Sequence, residues 1–327
     1  MTEPILEIRG LSVEYGDAEK PVRAVNGVGL ALERGRVLAL VGESGCGKTT
    51  TALAVLGLLP YAGRVTAGEV RLEGRDLRAI SDDELRRIRG RENSMIFEDP
   101  ATGLNPVLTV GDQVAEIITA HTDATKEEAG ALAENALRRV GLSEPAELVK
   151  RFPYQLSGGI SQRVLIAIAT VLNPKVLIAD EPTSALDVTV QAGILHELDV
   201  LRRERGVAIL LITHDLGVVA QLADEVVVMY AGRVAERGAT RDVLRRPRHP
   251  YTWALLETLP RIDMDRRPLM SIKGAPPDLS ELPEECAFIP RCRKATMTCR
   301  TMPSPELTEQ APGQLAACYN PVVHQPD

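Results

Sequence analysis

An α/β fold around a mainly parallel sheet is predicted by two features of this chain. Between residues 176 and 230 the short apolar runs VLIAD, VAILLIT and EVVVMY alternate with the longer stretches VTVQAGILHELDVLRRERG and DLGVVAQLA. Parallel strands need helical crossovers and are buried on both faces, so this alternation specifies a sheet covered by helices on both sides. The second feature is a glycine-rich turn, Gly42 to Thr49, between the apolar run VLALV and the apolar stretch TTALAVLGLL. A buried strand there feeds a phosphate-type loop and then a helix.

The remaining elements follow in chain order. ILEIRGLSVEY, AVNGVGLALE and GEVRLEG alternate apolar with polar residues and read as an antiparallel β subdomain flanking the nucleotide. From about Ser81 to Leu156 the pattern turns helical. SDDELRRIRG opens on a Ser N-cap with Glu84 three places on, and VGDQVAEIITAH and KEEAGALAENALRRVG keep helical spacing. Beyond about Pro247 the composition shifts to Pro and Cys, with short elements such as HPYTWALLETL, which marks a small C-terminal extension.

Composition excludes several classes. With 327 residues, 44% hydrophobic and 25% charged, the chain can bury one large core and carry an appendage. It contains no apolar run of roughly eighteen residues, and MTEPILEIRG carries neither a basic region nor an apolar signal core. The chain is therefore expected neither to span a membrane nor to be exported, and to work in the cytoplasm. A net charge of −7 gives no general attraction to nucleic acid. The clusters Arg245, Arg246, Arg248 and Arg266, Arg267 are short and read as solvated surface.

The glycine-rich turn carries the first chemistry. Its glycines let successive N–H groups turn inward on a polyphosphate at a helix N-terminus. This assigns Gly42, Glu43, Ser44, Gly45, Cys46, Gly47, Lys48, Thr49 and Thr50 to a nucleoside triphosphate, with Lys48 on the outer phosphates and the Thr49 hydroxyl on Mg²⁺. Aligned amides and Lys48 would lower the Cys46 thiol pKa and make it reactive, but the favoured reading is that Cys46 is simply a small residue in the loop. A second anion surface forms where Leu156-Ser157-Gly158-Gly159 leads into the helix SQRVLIAIATVL. Asp180 ends a buried strand, where a carboxylate can hold Mg²⁺ through water. Glu181 follows it and is the candidate base for the attacking water.

These motifs, in this order, resemble an ABC ATPase along nearly the whole chain. The resemblance implies that Tyr15 stacks on adenine, LSGG is the signature, and Asp180 and Glu181 form the Walker B end. It also implies that Ser184-Ala185-Leu186-Asp187 is the D-loop and His214, after VAILLIT, the switch histidine on the γ-phosphate. The family divides the chain into an ATPase domain at 1–246, with a helical subdomain at about 88–160, and an extension at 247–327. In the family the signature of one subunit closes over the P-loop nucleotide of another. A chain with one of each therefore needs a second ABC ATPase subunit, a paralogue in preference to a second copy.

Phe97-Glu98-Asp99-Pro100, Gly103-Leu104-Asn105-Pro106 and His249-Pro250-Tyr251-Thr252-Trp253-Ala254-Leu255-Leu256 look like the dipeptide and oligopeptide importer ATPases. That resemblance implies two transmembrane permease subunits, an extracytoplasmic solute-binding protein, and a place on the cytoplasmic face of the membrane. Relatives also carry nickel or metal chelates and oligosaccharides. The alternative class is a soluble ABC ATPase of DNA repair or translation, but the chain shows neither a long coiled-coil insertion nor a second ATPase domain.

Glu98 and the four tail cysteines stand apart from these motifs. Relatives place a glutamine where this chain has Glu98, its carbonyl oxygen ligating Mg²⁺; glutamate keeps an oxygen ligand, loses the amide donor and adds a negative charge. Cys286, Cys292, Cys299 and Cys318 lie in the tail, separated by 5, 6 and 18 residues, which is not a CxxC zinc ribbon. Four thiolates on a loop-rich segment suit a soft metal centre. Members of this importer group carry a [4Fe-4S] cluster there; zinc and free thiols are the other readings.

Overall fold

The computed structural model describes residues 3–17, 19–184, 186–259 and 271–324. The strands in chain order are β1 (Leu6–Tyr15), β2 (Val22–Leu32), β3 (Val37–Val41), β4 (Gly63–Leu72), β5 (Arg75–Asp76), β6 (Asn93–Ile96), β7 (Val176–Asp180), β8 (Ala208–Ile212), β9 (Glu225–Tyr230), β10 (Arg233–Ala239), β11 (Thr308–Ala311) and β12 (Gln314–Ala316). The chain forms two compact units: Met1–Leu6, Leu32–Val37 and Arg71–Ile212 make one, and Glu7–Ala31, Leu38–Val70 and Thr213–Asp327 make the other.

In the first unit β6, β7 and β8 pair in parallel, with Asn93 opposite Val176 and Asp180 opposite Ile212. Every residue of these strands is buried, as expected of parallel strands covered on both faces. The crossover from β7 to β8 is the helix Val188–Arg205. It starts where Asp187 accepts from the N–H groups of Thr189 and Val190, and it stops at left-handed Gly206. Its Ile194, Leu195, Leu198 and Leu201 are buried, one stripe at helical spacing.

The Ser81 capping box expected at Asp82–Ile88 is present in both halves, and Thr125 with Glu128 builds a second one ahead of Lys126–Arg139. Residues 93–96 differ from the helical reading of that stretch: NSMI is β6. Four residues are too few to show a period, and pairing with β7 decides their conformation.

In the second unit β3 and β9 run parallel, and β10, β12 and β11 continue antiparallel from β9. β1 lies between β2 and β4 in another sheet; β5 and the end of β4, which pair antiparallel, belong to the first unit. The extension thus adds two strands that its composition did not announce. Its helix Pro250–Glu257 is capped by His249, whose Nδ1 accepts from the Tyr251 N–H; burial lowers His249 to about 4, so this acceptor stays unprotonated at neutral pH.

The extension is held to β10 through Glu236, which is fully buried. Its carboxylate accepts from the backbone N–H groups of Arg248 (2.7 Å) and His249 (2.9 Å) and from Gln314 Nε2 (2.7 Å). Arg248, expected on the solvated surface, is half-buried and also donates to the Val322 carbonyl. Arg245 and Arg246 are exposed as expected, while Arg266 and Arg267 lie outside the described residues.

Candidate active site

The phosphate loop joins β3 to the helix Lys48–Leu56. Two glycines are required by contact as well as by conformation. At Gly42 (φ 152°) a Cβ would lie 2.3 Å from the Met229 carbonyl oxygen, and at Gly47 (φ 102°) it would lie 2.3 Å from the Ala24 carbonyl oxygen. The loop therefore lies flush against neighbouring backbone, with a left-handed residue directly before the helix. Lys48 is buried, and its Nζ donates to the carbonyls of Gly42 (2.8 Å) and Glu43 (3.0 Å). Ser44, Gly45 and Thr49 are exposed at the mouth of the loop, and Thr50 is half-buried.

Tyr15, assigned to adenine, ends β1 with its Oη 3.4 Å from Thr50 Oγ1, a hydrogen bond that sets the ring beside the start of the P-loop helix. His214 is exposed on the turn after β8. That turn is fixed on both sides: Thr213 N–H donates to Leu40 O of β3, and Asp215 caps Leu216–Leu222 through the N–H groups of Gly217 and Val218.

Of the two readings of Cys46, the activated thiol is the one the structure disfavours. Burial pushes its thiol up, outweighing the opposite pull of Lys48, so the neutral form is favoured and the loop supplies no ready thiolate.

In the first unit Asp180 is buried at the carboxyl end of β7. Glu181, partly exposed, sits in the left-handed region at φ 46°, held by its N–H on Ile212 O (2.8 Å) and its carbonyl on the Ser184 N–H (3.1 Å). A non-glycine residue there costs roughly 1–2 kcal/mol and aims its side chain away from the strand direction. Glu98 is exposed in the turn after β6. Ser157 has N-cap geometry for the helix Gly158–Thr170, yet its hydroxyl makes no capping bond; Ser157 and Gly158 are exposed and Gly159 is half-buried. Of the D-loop, Ser184, Leu186 and Asp187 are described and Ala185 lies outside the described residues.

The profile of the ABC transporter family matches residues 25–184, and that of the oligopeptide/dipeptide transporter C-terminal region matches residues 235–299. The dipeptide transport ATP-binding protein DppD of Bacillus subtilis (strain 168) is 47% identical over 91% of this chain and 89% of its own length. The chain belongs to the dipeptide and oligopeptide group of ABC transporter ATP-binding proteins. Another relative of this ABC subunit, the oligopeptide transport ATP-binding protein OppD of Escherichia coli (strain K12), is 44% identical over 98% of this chain and 94% of its own. Among solved structures, a dimeric ATP-binding cassette in a post-hydrolysis state with ADP and phosphate superposes with a TM-score of 0.65 at 30% identity, covering 72% of this chain and 99% of that one. Transport proteins therefore match this ABC subunit nearly end to end, and the repair and translation reading falls away.

The tail of this ABC subunit brings together what the sequence spaced apart. Cys286, Cys292, Cys299 and Cys318 all line one small cavity of about 20 Å³, with His249 and Asn320 beside them. All are free thiols. Burial pushes Cys286 and Cys292 up, and Cys318 up to about 12. The expected metal centre is not assembled: among the described residues no group of three or more His, Cys, Asp or Glu side chains is arranged to hold a metal ion.

Two further residues reach the phosphate loop and were not assigned to it from sequence. Tyr251 Oη accepts the Glu43 N–H (2.9 Å), and Arg291 binds both Glu43 carboxylate oxygens (2.6 and 2.8 Å). They stand 208 and 248 residues from Glu43, a distance across which no local pattern speaks.

Proposed function

We propose that this chain binds and hydrolyses ATP to power the import of peptides through an ABC transporter. The observation that carries this reading is the P-loop, with its flush glycines and buried Lys48, in a chain matched nearly end to end by dipeptide and oligopeptide transport ATP-binding proteins. Lys48 and Tyr15 bind and orient ATP, Glu181 takes the proton of the attacking water, and His214 donates toward the γ-phosphate. The exposed Thr49 hydroxyl, the Asp180 carboxylate and Glu98 are each oxygen donors of the kind that suits a hard cation, and Mg²⁺ bound with ATP would neutralise phosphate charge. The exposed Ser157 and Gly158 amides serve the nucleotide of a second ATPase subunit, a paralogue in preference to another copy.

The chain works on the cytoplasmic face with two permease subunits and an extracytoplasmic solute-binding protein, and uses no nucleic acid. No described helix is long and apolar enough to cross a membrane. We divide it functionally at 246/247, with the helical subdomain at about 88–160. Co-purification with both permeases, and ATPase activity stimulated by a peptide-loaded solute-binding protein, tests this reading; hydrolysis by the isolated chain that no permease alters contradicts it.

Glu98 makes a working but slower site. Beside ATP its charge repels the phosphates by up to several kcal/mol at an effective dielectric near 20, offset in part by Mg²⁺. Glu98→Gln should raise the hydrolysis rate of the assembled transporter and shift its Mg²⁺ dependence. Identical Mg²⁺ titrations for the two proteins would show that position 98 does not reach the metal.

One finer reading is kept as a proposal, a [4Fe-4S] cluster in the tail: Cys286, Cys292, Cys299 and Cys318 border one small cavity, although their side chains are not arranged there to hold a metal ion. Anaerobically purified protein should contain iron and acid-labile sulfide, and Cys292→Ser should remove both while ATP binding survives. Stoichiometric zinc, or neither element, overturns it.

A further inference from the structure

The C-terminal extension is wired into the phosphate loop. Glu43 is an awkward residue for that loop: its carboxylate stands beside the place where a polyphosphate is to bind, and like charges repel. Arg291 answers this. Nη1 and Nη2 each hold one Glu43 oxygen, a planar two-point pair, and the guanidinium is only 4% exposed. Arg291 is itself fixed, with Nε on the Lys273 carbonyl (3.1 Å), Nη1 on Tyr230 Oη (3.3 Å) and the guanidinium carbon 5.9 Å from the centre of the Tyr230 ring.

The backbone is pinned as well. The Glu43 N–H ends on Tyr251 Oη, and Tyr251 is fully buried with its ring 4.6 Å from that of Tyr230 and 5.4 Å from that of Phe288. Lys48 Nζ holds the carbonyl of the same residue. Glu43 is thus gripped at its N–H, its carbonyl and its side chain, and two of the three grips come from residues beyond 246.

We propose that Arg291 and Tyr251 are positioning residues for ATP: the extension latches the first turn of the phosphate loop, draws the Glu43 charge away from the phosphates, and so sets nucleotide affinity. Neither residue touches the nucleotide. The latch acts on how the loop is presented, so its loss weakens binding of ground state and transition state alike. This rests on assigning residues 42–49 to the phosphates.

The test compares wild type, Arg291→Ala, Arg291→Lys, Tyr251→Phe and the swap Glu43→Arg with Arg291→Glu. Mg-ATP binding is measured on the purified full chain by calorimetry, and kcat and KM on the assembled transporter. Tyr251→Phe keeps the packed ring and removes only the acceptor, so it carries the test if Arg291→Ala fails to fold. Arg291→Ala and Tyr251→Phe should raise Kd and KM by on the order of tenfold with kcat within about twofold, the pattern of lost uniform binding. Arg291→Lys should fall between, because one ammonium cannot reproduce the two-point pair, and the swap should recover part of the loss. Folded Arg291→Ala and Tyr251→Phe proteins with wild-type Kd and KM overturn the latch alone. A wild-type chain that binds no ATP overturns the phosphate-loop assignment, and the latch with it.

Discussion

Replacing Glu181 with glutamine should lower ATP turnover by on the order of a thousandfold while leaving ATP affinity near wild type. General-base catalysis is worth roughly 10²- to 10⁴-fold, and glutamine keeps the size and shape of the side chain while losing the proton acceptor. The backbone also argues that this side chain is placed deliberately. Glu181 holds a left-handed conformation at φ 46° at the end of a fully buried strand, tied down by bonds to Ile212 and Ser184. Strain of this kind persists only where the surroundings fix it. Lys48 and the loop assigned to phosphate are untouched by the change, so the variant should accumulate with ATP bound, the transporter's two ATPase subunits closed on the nucleotide. Phosphate release and equilibrium ATP binding, measured side by side on the assembled transporter, check this. Near-normal hydrolysis would remove Glu181 from the role of base.

Glu236→Ala should destabilise the chain by about 3 kcal/mol, because it strands two buried donors and one half-buried donor at once, and a donor left unsatisfied costs roughly 1–3 kcal/mol, not fully additive. The three are the N–H groups of Arg248 and His249 and the side-chain amide of Gln314. They join β10, the start of the helix Pro250–Glu257, and β12. Loss should appear first as release of the extension, read as a lower denaturation midpoint and early proteolysis after 246. Glu236→Gln, which keeps one acceptor oxygen, should lie between. An unchanged midpoint in the alanine variant would show that the extension is anchored elsewhere.

Sequence patterns were most informative where physics is local. The phosphate loop announces itself because a left-handed turn pressed against backbone admits only glycine at Gly42 and Gly47, and the buried parallel strands because β7 and β8 are continuous apolar runs. The Ser81 cap was legible for the same reason: its partner is three residues away.

What was not legible depends on partners distant in sequence. NSMI became a strand through β7, β12 became one through β10, and Arg248 left the surface to meet Glu236 and Val322. The environment of the Cys46 thiol was not legible either, because its neighbours in sequence lower its pKa, whereas burial by the folded chain raises it more. Tyr251 and Arg291 both stand in segments that resemble the family, but neither carried any hint of its partner. Each acquires its role only when the extension folds back onto Glu43.

The central claim, ATP hydrolysis by this chain driving peptide import, is tested most directly in proteoliposomes holding the whole transporter, with labelled dipeptide and the solute-binding protein outside and ATP at the face where this subunit docks. The expected result is dipeptide uptake against its gradient that requires ATP, ceases with Glu181→Gln in this subunit, and is competed by unlabelled peptide. Uptake indifferent to ATP or to Glu181→Gln, or accumulation of a metal chelate or oligosaccharide in place of peptide, would contradict it.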